Sequence, residues 1–185
     1  MNKYVLLAKT AVEKFIKEKK VILPPAGLPE DLLKKKAGTF VTIEKEGELR
    51  GCIGTYLPTK ENMAQEIIQN AIAAATEDYR FNPIQEKELP LLSFSVYILG
   101  KSEQIKEIAE LDAEKFGIIV KTAPIDNTTD VAFDGHMPSR SGLLLPNLPG
   151  VDSVEKQFLI ACQKGGIDPA KEKILIYRFT VEKYE

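Results

Sequence analysis

Tryptophan is absent from these 185 residues, histidine occurs once and cysteine only twice. Cys52 and Cys162 are too few for a disulfide framework or a metal quartet. A reducing, cytoplasmic location is the simplest expectation for such a chain. No G-x-G-x-x-G, P-loop, H-E-x-x-H or C-x-x-C pattern occurs. This argues against a standard nucleotide-phosphate loop, structural zinc or an iron–sulfur cluster, and no cofactor is expected. Long blocks of one charge are also missing, and the net charge is only −2. Neither nucleic acid nor an anionic membrane is therefore expected as a partner, and basic patches interleaved with aromatics are not found. Hydrophobic runs are short. The opening "YVLLA" is soon followed by Lys9, Glu13 and Lys14, so it is not expected to act as a signal peptide or to span a bilayer.

What is present is ordinary for a globular domain: 44% apolar and 28% charged residues. The length fits one compact domain, 1–185, with a small lobe placed at about 112–150 by its short, loop-rich elements. Val5, Ala8, Val12, Phe15 and Ile16 recur at helical spacing. "LPPAGLPEDL" reads as a linker. "GTFVTIEKEGELRGCIGTY" reads as a β-hairpin turning at Gly47. A helix follows with Thr59 as its expected N-cap and a stripe of Ala64, Ile67, Ile68, Ala71, Ile72 and Ala75. "PLLSFSVYILG" alternates: Leu92, Phe94, Val96 and Ile98 take one face, and Ser93, Ser95 and Tyr97 the other. "GIIVKTA" and "SGLLLP" read as short strands. "VDSVEKQFLIACQKGGI" reads as a helix capped by Asp152 and stopped at the double glycine, and "KILIYRFTVEKY" as a closing strand. This order predicts an α+β fold with a mostly antiparallel sheet flanked by helices.

The chemistry concentrates at "LRGCIG". On a strand, Leu49, Gly51 and Ile53 would face the core, with Arg50, Cys52 and Gly54 on the opposite side. A guanidinium near a thiol favours thiolate, the reactive form. Gly51 and Gly54 remove side-chain walls, so a ligand or another backbone can approach, and amides near them could stabilise developing negative charge. The alternative is a small buried cysteine with its glycines marking a bulge. Cys162 lies on the stripe of Val154, Phe158 and Ala161 and reads as a core thiol.

His136, in "DGHMPSRSG", is the natural general acid or base, or else a solvated loop residue. Asp134 and His136 are only two ligand types, and no metal site is expected. Arg140 and Ser141 suit a substrate carboxylate or phosphate, or a structural ion pair. Asp78 and Arg80, in "EDYRFNP", read as a substrate-binding pair or a helix-end charge pair.

"GTFVTIEKEGELRGCIGTY", "NAIAAATEDYRF", "ELPLLSFSVYIL", "FGIIVK", "RSGLLLPNLPGVDSVEKQ" and "YRFTVEKY" together resemble the AMMECR-one domain family across nearly the whole chain. The length and ending are similar to the prokaryotic AmmeMemoRadiSam system protein A type. The resemblance implies a larger and a smaller lobe with "LRGCIG" near a cleft between them. It also implies a functional Cys52 with Arg50 beside it, and Memo-like and radical SAM proteins as partners. The reaction stays open, whether on a small-molecule or a peptide substrate. The chain could be an enzyme or enzyme component with Cys52 as nucleophile or redox thiol, or a non-catalytic adaptor or substrate-binding module. The family commonly has "DPRF" where this chain has "DYRF", which puts the turn at Tyr79 in doubt.

Overall fold

A computed structural model describes residues 2–123 and 139–185. They form two compact units. The first runs to Gly100 and includes Glu182–Glu185, and the second is Lys101–Val181. The expected small lobe of about 112–150 lies within the second unit. The architecture is α+β, with two antiparallel sheets flanked by helices.

The first unit contains α1 (Lys3–Glu18), α2 (Glu30–Lys34), β1 (Thr39–Lys45), β2 (Glu48–Thr55), α3 (Met63–Thr76) and β3 (Leu92–Leu99). β8 (Val181–Tyr184) completes a sheet of order β2-β1-β3-β8. Strand alternation sorts β1 into two faces. Val41 stands opposite Ile53 and Val96, and Ile43 opposite Gly51 and Phe94. These residues pack with Val5, Ala8 and Val12 of α1 and with Ala64, Ile67 and Ala71 of α3. Each fully buried aliphatic side chain contributes about 1.5–3 kcal/mol of transfer free energy. The other face carries the row Cys52, Thr42, Ser95.

The structure corrects several expectations from the sequence. The linker contains the short helix α2. Asn62, not Thr59, caps α3: its side chain accepts the Gln65 N–H at 3.0 Å, while Thr59 bonds Glu66. Leu49 is 42% exposed and not in the core, because a bulge at Arg50 shifts the ladder between Ile43 and Glu44. The closing strand divides at Thr180 into β7 (Ile174–Phe179) and β8, which belong to different sheets.

The second unit holds β4 (Glu103–Ile105), β5 (Gly117–Thr122), β6 (Ser141–Leu144), α4 (Val154–Gly165) and β7, with sheet order β4-β7-β5-β6. Ser153 caps α4 in place of Asp152, which sits one residue early and pairs with Lys156. Gly166 ends the helix in the left-handed region at φ 60, as the double glycine predicts. Ile118, Val120, Leu144, Ala161, Cys162 and Ile176 form its core. Cys162 is buried there, and burial pushes its thiol pKa up. No helix of the described residues is long and apolar enough to cross a membrane.

Candidate functional site

β2 is an edge strand, so alternate residues turn their N–H and C=O away from the sheet. Cys52 is one of these. Its N–H donates to Asp78 Oδ2 at 2.8 Å, and its carbonyl accepts from Arg80 Nη2 at 3.4 Å. An acid and a base thus take the place of a neighbouring strand at this one residue. Residues of an antiparallel pair whose backbones point apart approach closely, which brings side chains together. Thr42, opposite Cys52, donates its hydroxyl to Sγ at 3.2 Å. The sulfur is half-buried and is in no disulfide.

Asp78 and Arg80 reach β2 because a turn closes just after α3. Phe81 N–H donates to the Asp78 carbonyl at 3.0 Å, and Arg80 N–H donates to Asp78 Oδ1 at 3.2 Å. An aspartate at the first turn position bonding its own backbone is a common way to hold such a turn. Tyr79 takes the next position with negative φ, where most residues are accepted. The turn therefore forms without proline, and Tyr79 projects into solvent at 95% exposure.

Asp78 is 4% exposed, and Arg80 forks onto it from Nε at 2.9 Å and Nη2 at 2.7 Å. The Arg80 fork, helped by the Cys52 and Arg80 N–H groups, holds the Asp78 carboxyl at about 2 against the cost of burial. Arg80 is in turn held more firmly protonated, by Asp78 first and to a lesser degree by its electrostatic coupling to Cys52.

Arg50 sends Nε and Nη2 to the two oxygens of Glu88, both at 3.1 Å. Lys45 Nζ at 3.2 Å and the Gln85 N–H at 3.0 Å complete the shell of Glu88. Arg50, with the Gln85 amide and Lys45, lowers Glu88 to about 2. The Phe81 ring centroid lies 5.9 Å from the Arg50 guanidinium carbon and 5.5 Å from that of Arg80. Arg80 thus lies on the Cys52 backbone, while the Arg50 fork lies on Glu88.

The two glycines have close neighbours. A β-carbon on Gly51 would lie 2.1 Å from the Ala74 carbonyl oxygen, so this glycine admits the backbone of α3. A β-carbon on Gly54 would meet the Phe40 ring at 2.2 Å. Strand parity turns the Gly51 amide toward β1 and the Gly54 amide toward the same outer edge as Cys52.

Arg140 and Ser141 lie in the second unit. The Arg140 guanidinium donates to the Gly166 carbonyl and to Glu172, and its N–H to Thr122 Oγ1 at 3.1 Å. His136 and Asp134 lie outside the described residues. Among the described residues, no group of three or more His, Cys, Asp or Glu is placed to hold a metal ion.

Thr42 and Glu88 were not found by sequence reasoning. Counting back from the Gly47 turn could pair Thr42 with Cys52 only if the bulge at Arg50 were known. "EKELPLL" gives no sign that Glu88 points inward.

Residues 5–184 match the family model described as AMMECR1. A Thermotoga maritima protein is 46% identical over 183 residues, covering 98% of this chain and 97% of that protein. A Clostridium acetobutylicum protein is 37% identical over 98% of this chain, but that region is 34% of its own length. The crystal structure of an uncharacterized Pyrococcus horikoshii protein superposes with a TM-score of 0.82 at 30% identity, covering 97% of this chain and 88% of that one.

Proposed function

The chain belongs to the AMMECR1 family, and from that premise we propose that Cys52 is the nucleophile of an enzyme component. The observation that carries this is the convergence of three fixed side chains on one half-buried cysteine: Asp78 on its N–H, Arg80 on its carbonyl and Thr42 on its sulfur. A strand edge held by side chains immobilises the backbone without a covering strand, and hydroxyl donation to sulfur favours the thiolate. In the reaction the thiol proton passes to solvent base and the sulfur lone pair forms an S–C bond. The displaced group leaves with its bonding electrons.

Memo-like and radical SAM proteins are the partners this reading takes from the family resemblance. The Clostridium acetobutylicum relative supports a component role, since two thirds of its chain lie outside the matching region.

The test is competitive labelling by iodoacetamide, mapped by mass spectrometry. Cys52 should react at least about tenfold faster than the buried Cys162, as expected for an accessible thiol against a desolvated one. Equal, slow labelling of both would remove the nucleophile. An adaptor role is the second reading, favoured by Tyr79, which stands fully in solvent at the tip of the turn that bonds Cys52. Tyrosines so placed are common anchors for a protein partner. An inert Cys52 with partner binding lost in Tyr79→Ala would favour it.

A further inference from the structure

We propose that the electrophile that reaches Cys52 is anionic, carrying a carboxylate or phosphate group, and that Arg80 selects it. The inference rests on Cys52 as nucleophile and adds the substrate's charge and the residue that reads it.

Arg80 is tied to Cys52 twice, directly at the carbonyl and through Asp78 at the N–H. Its place relative to the reacting residue is therefore fixed by the backbone of β2. Its Nε and Nη2 are occupied, while Nη1 has no acceptor among the described residues. The Arg80 side chain is 43% exposed, against 16% for Arg50. A guanidinium with one edge fixed and another nitrogen available suits a planar oxyanion.

The charge around the thiol favours the same ligand. Among the described residues, two hydrogen-bonded sets at β2, Arg80 with Asp78 and Lys45 and Arg50 with Glu88, together hold three cations against two carboxylates. One positive charge is left over while the thiol is neutral. Asp78 neutralises much of the Arg80 field, so the expected effect is selectivity and not tight binding. With an oxyanion on Nη1, the sulfur would form its bond to a nearby carbon of the same molecule, and the displaced group would leave with its bonding electrons.

The experiment compares two alkylating agents at Cys52, read by mass spectrometry on the intact chain: anionic iodoacetate and neutral iodoacetamide. The iodoacetate-to-iodoacetamide rate ratio should fall about fivefold in Arg80→Gln, the size expected for one partly screened charge. Arg80→Lys keeps the charge but not the fork on Asp78, so it should restore the ratio only in part. Lys14→Gln, which removes an exposed charge on α1 across the sheet from Cys52, should leave it unchanged and so control for net charge. In the unmodified protein, rising sodium chloride should lower the ratio by screening, a readout that does not depend on any variant folding. A ratio insensitive to both salt and Arg80→Gln, with Cys52 still reactive, overturns the role of Arg80 and leaves the nucleophile standing. A Cys52 inert to both reagents overturns the nucleophile and this inference with it.

Discussion

Asp78 holds the backbone N–H of Cys52 at 2.8 Å from a turn 26 residues further along the chain. That bond ties the end of α3 to the free edge of β2. Asp78→Ala would leave the Cys52 N–H without its acceptor and Arg80 without its carboxylate. We expect a loss of about 3 kcal/mol, typical of removing one partner of a buried charged contact. The urea midpoint checks it. A shift below about 0.5 kcal/mol, the range of ordinary surface changes, would show that the bond does not hold the edge.

Acid should release the same contacts. Asp78 and Glu88 both titrate at about 2 when folded, below their ordinary values of 3.8 and 4.5. A depressed carboxylate stabilises the fold fully above its unfolded pKa and loses that contribution as pH falls through the folded one. The window is therefore about pH 5 down to about pH 2, with each group contributing on the order of 2 kcal/mol. Glu88→Gln should be less stable than the parent at pH 7, with the gap closing toward pH 2. A gap that stays constant with pH would contradict the assignment.

Gly51→Ala should be more damaging than its size suggests. The added carbon would meet the Ala74 carbonyl of α3, which is backbone and cannot rotate away. A loss of about 2–3 kcal/mol is expected, as in other overpacked sites. Gly27→Ala is the contrast. Its β-carbon would meet nothing within 4 Å, and only the φ of +82 opposes it, at about 1 kcal/mol. Thermal melts of the pair separate crowding from backbone strain.

Glu66 is buried, and no cation pairs with it among the described residues. Burial pushes its pKa up, but donors from Thr55, Thr59 and Lys60 lower it overall. It accepts the Thr55 and Thr59 hydroxyls and the Thr59 and Lys60 N–H groups. Glu66→Gln puts an amide donor against one pair of these donors. A loss of about 2–3 kcal/mol follows from unsatisfied buried groups. Denaturant unfolding reads it.

Thr42→Val removes the hydroxyl from the Cys52 sulfur while keeping the shape of the side chain. Alkylation of Cys52 should slow about fivefold, the equivalent of one net hydrogen bond, and Thr42→Ser should recover most of it. Unchanged labelling in Thr42→Val would mean that the contact does not influence the thiol.

Elements with clean periodicity were legible in the sequence. The stripes of α1 and α3, the alternation of β3 and the glycine stop of α4 all follow from local spacing. Asp78, Arg80 and Cys52 could each be singled out as candidates, but no local pattern places the first two on the backbone of the third. What could not be read depends on contacts distant in sequence. The bulge at Arg50 turns Leu49 outward, and no local pattern announces it. The fork of Arg50 onto Glu88 joins residues 38 positions apart. The break at Thr180 is hidden because both halves have strand-like composition, and only pairing with different sheets separates them.

Tyr4 and Tyr184 stack with ring centroids 4.0 Å apart and planes within 2°. On the ribosome, the first unit would wait for Glu182–Glu185 until all of Lys101–Val181 had been translated. Until then its sheet would lack one strand, with β3 as a bare margin and Tyr4 without its stacking neighbour. The order of synthesis thus leaves this sheet open beside β3 until β8 has emerged and taken its place there.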